Sequence, residues 1–372
     1  MMKVIVLGVG STAFGRSEMT FARLGAIAAK RALEDAGVLW KEIQSLYCAN
    51  TANGSCVGEL VEAELGHIGI PVINVNNACA GGQTAFFVGQ QMVALGAHDL
   101  VMVLGTEKMP RGAIVFPPTP PHLMGVESMV GKYAMKMQRA ILEKRYTLDQ
   151  MAKVSVKNYA NGLKNPYAHH KLNVTIDDVH NSRMIADPLT LYHCCPSSDG
   201  ASAAILCSES YARRKATPPF IEAVGGALRS QTFVRGEPNE TQIITVNTAK
   251  DAYKAAGIGP EDLDIVELHD NFTISELEHY EDLGLCADGE AGKLIDEGTT
   301  ELTGRIPVST GGGLISRGHP TAATGVAQIC EIVWQMRGEA GDRQIKNKPK
   351  VGLSHCCGGD MGMACGVNIL KR

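Results

Sequence analysis

The sequence predicts an α/β protein built from two similar halves, each with the order β-α-β-α-β. One observation behind this is that short apolar runs alternate with longer stretches of helical periodicity along the 372 residues. A second is an internal repeat, because residues 29–37 recur as residues 249–257 at a constant offset of 220. Each copy reads as an amphipathic helix that ends at a glycine, followed by a short turn and a buried strand.

Ten short apolar runs predict the strands, five in each half. Their alternation with helical segments favours parallel sheets with helices on the faces. In chain order they are Val4–Leu7, Ser45–Ala49, Val72–Val75, Leu100–Leu104 and Ala203–Cys207, then Ile221–Gly225, Ile265–His269, Ile306–Ser309, Val351–Ser354 and Met363–Ile369.

Charge and composition argue against several classes of protein. The net charge is −4 and no basic block is present, so we expect neither a nucleic-acid partner nor a membrane surface. The first apolar run ends at Gly8, which is too early for a signal peptide, and no apolar stretch approaches the ~18 residues of a membrane helix. Eleven cysteines without a secretory signal predict free thiols and a cytoplasmic location.

Two further repeated sequence features relate the halves. Residues 193–195 (His-Cys-Cys) recur as residues 355–357, each before a glycine-containing turn and an apolar strand. Cys79 and His319 both begin predicted helices, and a threonine follows each of them five residues later. If a pseudo-twofold axis relates the halves, equivalent helix starts can meet at that axis. The repeat therefore predicts that Cys79 lies close to His319.

The stretch from Cys79 to Cys194 is longer than the equivalent stretch from His319 to Cys356 by about 78 residues, so the first half carries an insert. A long insert with its own helical patterns is typical of a lid or substrate-covering domain, although a packing or oligomer-contact appendage fits the same pattern. The insert carries the run Phe116–Pro121 and helical patterns over Met124–Met137 and Leu148–Ala160. We predict an N-terminal half (residues 1–107 and 188–215), an inserted domain (108–187) and a C-terminal half (216–372).

Cys79 and His319 are the candidate nucleophile and base. A cysteine at a helix N-terminus lies among unpaired backbone N–H groups, which favour the thiolate and lower the pKa of the thiol. His319 follows the glycine-rich residues 311–313 and can take a proton from Cys79. The structural alternatives are a small buried cysteine and a capping or core histidine.

A third and a fourth segment add polar groups. In residues 356–359 (Cys-Cys-Gly-Gly), a thiol can serve as a general acid and base, and the N–H groups of Gly358 and Cys79 can form an oxyanion hole. Adjacent cysteines lack the C-x-x-C spacing of zinc sites, so no metal is predicted. His269 lies at the end of a predicted strand, where α/β proteins collect polar groups, and can donate to a carbonyl oxygen.

These four motifs, in this order, resemble the thiolase superfamily over nearly the whole chain. The sequence His-Asp-Asn-Phe from His269 is similar to the sterol-carrier-type (lipid-transfer) thiolases and their bacterial and archaeal acetyl-CoA acetyltransferase relatives. The resemblance implies that Cys79 accepts the acyl group, His319 activates it, Cys356 moves the α-carbon proton, and His269 binds the thioester oxygen. It also assigns Gly358 to an oxyanion hole. Asn271 departs from the cysteine that is common at its position and is a further candidate for substrate binding.

The resemblance carries expectations about fold and partners. It implies a five-layer α-β-α-β-α arrangement with an inserted lid, a homodimeric core, and a thiolase reaction that cleaves or forms a β-ketoacyl-CoA. Coenzyme A is then a substrate or product, and no cofactor is permanently bound. Some relatives depend on a small zinc-ribbon/OB-fold partner protein, and the resemblance extends this expectation to the present chain.

Two other functions fit parts of the pattern. One is a condensing enzyme of the β-ketoacyl or hydroxymethylglutaryl-CoA synthase type, against which the presence of Cys356 argues. The other is a non-catalytic thiolase-like subunit of a lipid-transfer or aldolase complex. The sequence leaves open whether Cys356 or Cys357 is the acid and base, and whether the acyl group is short, a sterol side chain or aromatic, as in benzoylsuccinyl-CoA.

Overall fold

The fold is that of a computed structural model, which describes residues 2–110, 128–231, 241–359 and 362–372. Its strands are β1 (Val4–Ser11), β2 (Leu46–Ala49), β3 (Val72–Val75), β4 (Leu100–Glu107), β5 (Met184–Ala186), β6 (Leu189–Thr190), β7 (Gly200–Ser208), β8 (Glu222–Ser230), β9 (Ile265–Glu267), β10 (Val351–Gly358) and β11 (Ala364–Lys371). Its α-helices are α1 (Phe21–Ala36), α2 (Val57–Leu65), α3 (Gly81–Ala94), α4 (Met129–Leu142), α5 (Leu148–Leu163), α6 (Ile176–Asn181), α7 (Glu209–Lys215), α8 (Thr241–Ala256), α9 (Thr273–Asp282), α10 (Ala291–Asp296), α11 (Gly313–Arg317) and α12 (Thr321–Arg337).

The strand order confirms the duplication. Nine strands form one hydrogen-bonded array in the order β3-β2-β4-β7-β1-β8-β11-β10-β9. The array reads as two mirrored sets that meet where Ile5 of β1 pairs with Glu222 of β8. Helices α1 and α8 begin and end at positions one repeat of 220 residues apart. A pseudo-twofold axis therefore relates the halves, as the repeat predicts.

The expectation of parallel sheets was wrong in part. Strands β2, β3 and β4 are parallel, but β7 runs antiparallel to both of its neighbours, and β11 does so in the second half. Five residues lie between β10 and β11, too few for the crossover that a parallel neighbour requires, and the insert that joins β4 to β7 returns to the same end of the sheet. Residues Ile306–Ser309, predicted as a strand, contribute one isolated bridge between Val266 and Val308.

Helices α3 and α12 form the middle layer. Each contacts strands of both halves, while α1 and α2 cover the first set of strands and α8, on which α9 packs, covers the second. The hydrophobic cores follow this division, with one cluster on each outer side and one around α3 and α12. This is the five-layer arrangement that the resemblance implies.

The insert contributes three helices, α4 to α6, and strand β5, which pairs with β6 immediately after the insert. Helix α5 packs on α9, α10 and α11 of the second half. The run Phe116–Pro121 and residues 124–127 of the predicted methionine-rich helix lie outside the described residues. The lid function and the boundaries of the three predicted domains remain predictions.

Two glycines allow α3 and α12 to touch backbone to backbone. A β-carbon on Gly82 would lie 2.7 Å from the carbonyl oxygen of Ala322 and 2.9 Å from the nitrogen of Val326. A β-carbon on Gly325 would lie 2.6 Å from the nitrogen of Gln83. Both positions therefore exclude a side chain, and the ends of the two helices meet at the pseudo-twofold axis.

We expect Gly82→Ala to push α3 and α12 apart and to lower the free energy of unfolding by about 1–3 kcal/mol, because the new methyl group meets backbone atoms that have no rotamer to change. Denaturant titration measures the change. Gly131→Ala in α4 is the matched control, since its β-carbon would meet nothing nearer than Ser128 at 3.7 Å. An unfolding free energy of Gly82→Ala equal to that of the unsubstituted protein would contradict so close a contact between the helices.

Candidate active site

Two equivalent turns place Cys79 and His319. The residue before each has a positive φ, 47° at Ala78 and 104° at Gly318, and each turn leads into a middle-layer helix, α3 or α12. A positive φ is strained for alanine, and such strain is common where a side chain must be aimed at a functional site. The shared geometry directs the two side chains toward the axis between the halves.

The two side chains meet there. The Nε2 atom of His319 lies 3.3 Å from the Sγ atom of Cys79, and both residues are buried. The Nδ1 atom of His319 lies 2.8 Å from the hydroxyl oxygen of Thr324, and that hydroxyl donates to the carbonyl of Pro320 at 3.1 Å. Since the hydroxyl proton is used on Pro320, His319 donates from Nδ1, and its Nε2 lone pair faces the thiol of Cys79.

The structure corrects the expected charge of Cys79. Burial, followed by the nearby carboxylate of Glu107, raises the pKa of the thiol to about 12 instead of lowering it. Helix α3 begins two residues later, at Gly81, and its favourable N-terminal field does not outweigh the loss of water. Burial also lowers the pKa of His319 to about 3. The resting pair is therefore a neutral thiol hydrogen-bonded to a neutral imidazole.

A second thiol–imidazole pair lies beside the first. The Nδ1 atom of His269 is 3.2 Å from the Sγ atom of Cys356, and the rings of His269 and His319 are in edge contact at 5.3 Å. Burial raises the pKa of Cys356 and lowers that of His269, so this pair is also neutral. Side chains alternate along β10, so Cys357 points to the opposite face, toward Thr245 of α8.

The backbone of Gly358 closes one side of this site. A β-carbon there would lie 2.3 Å from the carbonyl oxygen of Asn77 and 3.0 Å from the nitrogen of Cys79. The end of β10 can approach the Cys79 turn this closely only because position 358 has no side chain. A cavity of about 400 Å³ opens next to this contact, lined by Asn77, Ala78, Leu228, Arg229, Gly358 and Met363.

Asn271 is not brought into this group. Its side-chain oxygen accepts from Ser275 at 2.9 Å, and its amide is hydrogen-bonded to Tyr133 of α4. The ring of Tyr133 stacks on Phe272 with centroids 4.1 Å apart. Asn271 therefore fastens the insert to the second half, and we find no contact from it to Cys79, His319 or Cys356 among the described residues.

Two buried carboxylates that were not predicted from the sequence hold the site elements. Glu107, at the end of β4, accepts from the hydroxyl of Thr321 at 2.8 Å and so holds the start of α12. Asp270 accepts from the backbone N–H groups of Leu314 and Ile315 at 2.8 and 3.3 Å and so holds α11. Their positions at strand ends, where α/β proteins gather polar groups, were the available signal.

The donor atoms of Cys79, His269 and His319 lie within 4.8 Å of one another, which is also a spacing that metal ligands adopt. In this site each imidazole is already paired with a thiol, so the contacts are explained by hydrogen bonding.

Among the described residues, no helix has the length and apolar character needed to cross a membrane.

Comparisons with known proteins agree with this geometry. Residues 4–210 match the family model of the thiolase N-terminal domain, and residues 226–372 match that of the thiolase C-terminal domain-like family. The chain is 40% identical to the benzoylsuccinyl-CoA thiolase subunit BbsB of Thauera aromatica, over 96% of this chain and 95% of that protein. It is 39% identical to the acetyl-CoA acetyltransferase of Methanothermobacter thermautotrophicus over the full length of both.

Two further likenesses concern the sequence and the fold. It is 36% identical to sterol carrier protein 2 of Oryctolagus cuniculus, over 99% of this chain and 72% of that protein. The solved structure of the Ltp2-ChsH2(DUF35) aldolase matches its fold with a TM-score of 0.87 and 24% identity, over 100% of this chain and 98% of that chain. The chain is an acyltransferase of the thiolase superfamily, related to the sterol carrier protein 2 thiolases and the archaeal acetyl-CoA acetyltransferases.

Proposed function

We propose that this protein is a thiolase that cleaves or forms a β-ketoacyl-CoA through an acyl group carried on Cys79. The observation that carries the proposal is the side-by-side placement of two neutral thiol–imidazole pairs, Cys79 with His319 and Cys356 with His269. One pair suffices to acylate a thiol. A second pair supplies the proton transfer at carbon that bond cleavage next to a thioester requires. Condensing enzymes without the second thiol would leave Cys356 unexplained.

In the degradative direction, Cys79 attacks the keto carbon while its proton passes to Nε2 of His319. The new S–C bond forms a tetrahedral intermediate, and the Cα–Cβ bond then breaks. The electron pair of that bond remains on the α-carbon, which takes a proton from Cys356, and an acyl-CoA leaves. The thiol of free coenzyme A then gives its proton to the Cys356 thiolate and attacks the thioester on Cys79. His319 returns its proton to the leaving sulfur of Cys79, so both thiols are restored. Synthesis follows the same steps in reverse.

The neutral resting state suits this sequence. Because burial disfavours both the thiolate and the imidazolium, the proton leaves Cys79 together with the attack instead of before it. The negative charge then develops on the substrate oxygen, where backbone N–H groups are most effective in a water-poor site. We assign the N–H groups of Cys79 and Gly358 to one oxygen, because their backbones are in contact. We assign His269 to the thioester oxygen.

We propose coenzyme A thioesters as substrates and the cavity beside Gly358 as the space for the acyl group. Its lining combines the apolar side chains of Leu228 and Met363 with the cation of Arg229. Two relatives are named for benzoylsuccinyl-CoA and acetyl-CoA. An aromatic and a short β-ketoacyl-CoA therefore lead the panel of substrates to be tested.

We also propose that a partner protein takes part in turnover. The Thauera aromatica relative is named as a subunit, and the solved aldolase is a complex with a DUF35 protein. The groups needed for acylation, Cys79 and His319, are both contributed by this chain, so the partner would act on substrate binding. Full turnover of a β-ketoacyl-CoA by the purified chain alone would contradict a required partner.

We propose a homodimer that forms through the strand at the edge of the sheet. Strand β3 ends the nine-strand array, and its central residue Ile73 is 38% exposed. An open edge with an exposed apolar side chain invites pairing with another strand, and a second copy of β3 provides one. The strand immediately precedes the Cys79 turn, so a dimer there would support the nucleophile.

Substitutions at Cys79 and at Cys356 should affect different steps of the reaction, acylation and carbon–carbon cleavage. Incubated with acetyl-CoA, the protein should gain one acetyl mass, and Cys79→Ser should gain none. Cys356→Ala should still be acetylated, but it should cleave a β-ketoacyl-CoA about 10²–10⁴-fold more slowly because its proton donor is missing. Intact-mass spectrometry and thiolysis assays measure the two steps. Cys286→Ser, outside the site, is the control. An adduct that survives in Cys79→Ser would refute the proposal.

The reactivity of Cys79 should rise steadily with pH. Because burial and Glu107 raise its pKa to about 12, its alkylation by iodoacetamide should become about tenfold faster per pH unit from about pH 7 to about pH 9. Peptide mass spectrometry follows Cys79, with exposed Cys56 as the accessibility reference. A rate that levels off below about pH 8 would show a preformed thiolate–imidazolium pair instead.

Ile73→Lys should weaken the proposed dimer. A charge on the open edge of β3 opposes strand pairing, so we expect the dissociation constant to rise at least about tenfold. Light scattering during size-exclusion chromatography, over a concentration series, gives the mass. Leu95→Lys is the matched control because Leu95 is 71% exposed at the far end of α3. A dimer of unchanged strength in Ile73→Lys would place the interface elsewhere.

A further inference from the structure

A second group of metal-type ligands lies on the other face of β10. The donor atoms of His279, His355 and Cys357 are all within 4.8 Å of one another, and all three residues are buried. The rings of His279 and His355 are 4.5 Å apart, centroid to centroid, at an angle of 72°. The group lies between β10 and α9 in the outer core, so the acyl chemistry on the Cys356 face leaves these residues without a role.

His279 is oriented as a metal-bound histidine is. Its Nδ1 atom lies 2.9 Å from the carboxylate of Asp282, and both residues are buried. That contact fixes the orientation of the ring, and it leaves Nε2 as the ring nitrogen that can bind a metal. A carboxylate behind a histidine is the usual outer partner of a zinc-bound imidazole, where it fixes the tautomer and increases the basicity of the ligand.

Cys357 contributes the sulfur of the group. It lies on the same face of β10 as His355, because side chains alternate along a strand. The ring nitrogen of His355 that faces Cys357 is Nε2, and we take this nitrogen as the ligand atom. Cys365 is directly opposite Cys357 in the β10-β11 ladder, but its sulfur is not among the donor atoms that all lie within 4.8 Å of one another.

The spacing and the access also suit a metal. Zinc–nitrogen and zinc–sulfur bonds in a tetrahedron place N and S about 3.6 Å apart, and the Nε2 of His355 is 3.3 Å from the Sγ of Cys357. A cavity of about 440 Å³ reaches Asp282 from outside. Glu278 and Glu281 also line this cavity, where they are paired with Lys136 and Arg145.

We propose that His279, His355 and Cys357 bind a divalent transition metal of the zinc class, at a place separate from the proposed acylation site. Two imidazoles and one thiolate are zinc ligands, and a tetrahedral ion with three protein ligands takes a water molecule in its fourth position. Binding releases the proton of Cys357, since a thiol must lose its proton to become a ligand. The metal would fasten α9 to β10, behind the strand that carries Cys356.

Cobalt(II) tests this site because it occupies zinc sites and reports thiolate ligands by a charge-transfer band. The background protein is Cys79→Ser/Cys356→Ala, which removes both thiols of the acylation site. After removal of metal with a chelator, it should bind one equivalent of Co²⁺ with tetrahedral d–d bands and a sulfur-to-cobalt band. Adding Cys357→Ser should abolish the sulfur band, whereas adding Cys286→Ser, at a half-buried cysteine of neither site, should leave it unchanged.

Two further variants keep the test decisive if Cys357→Ser fails to fold, which circular dichroism would show. His279→Gln should lose the tetrahedral bands. Asp282→Asn should keep the sulfur band but bind Co²⁺ about 10–100-fold more weakly, because the outer partner of His279 has lost its charge. A background protein without a sulfur-to-cobalt band, or a band that persists in folded Cys357→Ser and His279→Gln, would overturn the proposal.

Discussion

The contact between α3 and α12 is the constraint on which the rest of the structure depends. Glycine at 82 and at 325 lets the two backbones touch, and no larger residue fits at either position. The helices are equivalent by the internal repeat, so their starts meet at the pseudo-twofold axis. Only at this axis can Cys79, contributed by one half, come within 3.3 Å of His319, contributed by the other. The duplication is thus the physical origin of the site.

Burial then sets the chemistry of the site. Removal of water raises the pKa of both thiols and lowers that of both imidazoles, so the groups rest uncharged and hydrogen-bonded. Glu267, a charged group that the fold buries, lies 3.5 Å from the opposite charge of Arg317. Charge near the substrate therefore develops mainly during reaction, where oriented backbone groups can stabilise it.

The alternation of side chains along β10 divides its two cysteines between two environments. Ser354 and Cys356 face the middle layer, where Ser354 donates to Gln83 of α3 at 3.1 Å. His355 and Cys357 face the outer helices. Neighbouring residues of one strand can thus serve a proposed acylation site and a proposed metal site without touching the same ligands. Contacts on the outer face of β10 also help to fix the side chains on its inner face, since both faces belong to a single strand.

The sequence alone determined the duplicated α/β architecture, nearly all of the strands and the family, because these depend on local periodicity, on a repeat and on ordered motifs. Only the tertiary structure decided the antiparallel course of β7 and β11, the placement of Asn271 against Tyr133, and the face on which Cys357 lies. It also reversed the expected pKa shift of Cys79. The reason is that strand direction, packing partners and desolvation depend on residues far apart in the chain, whereas helix starts and apolar periods are properties of neighbours.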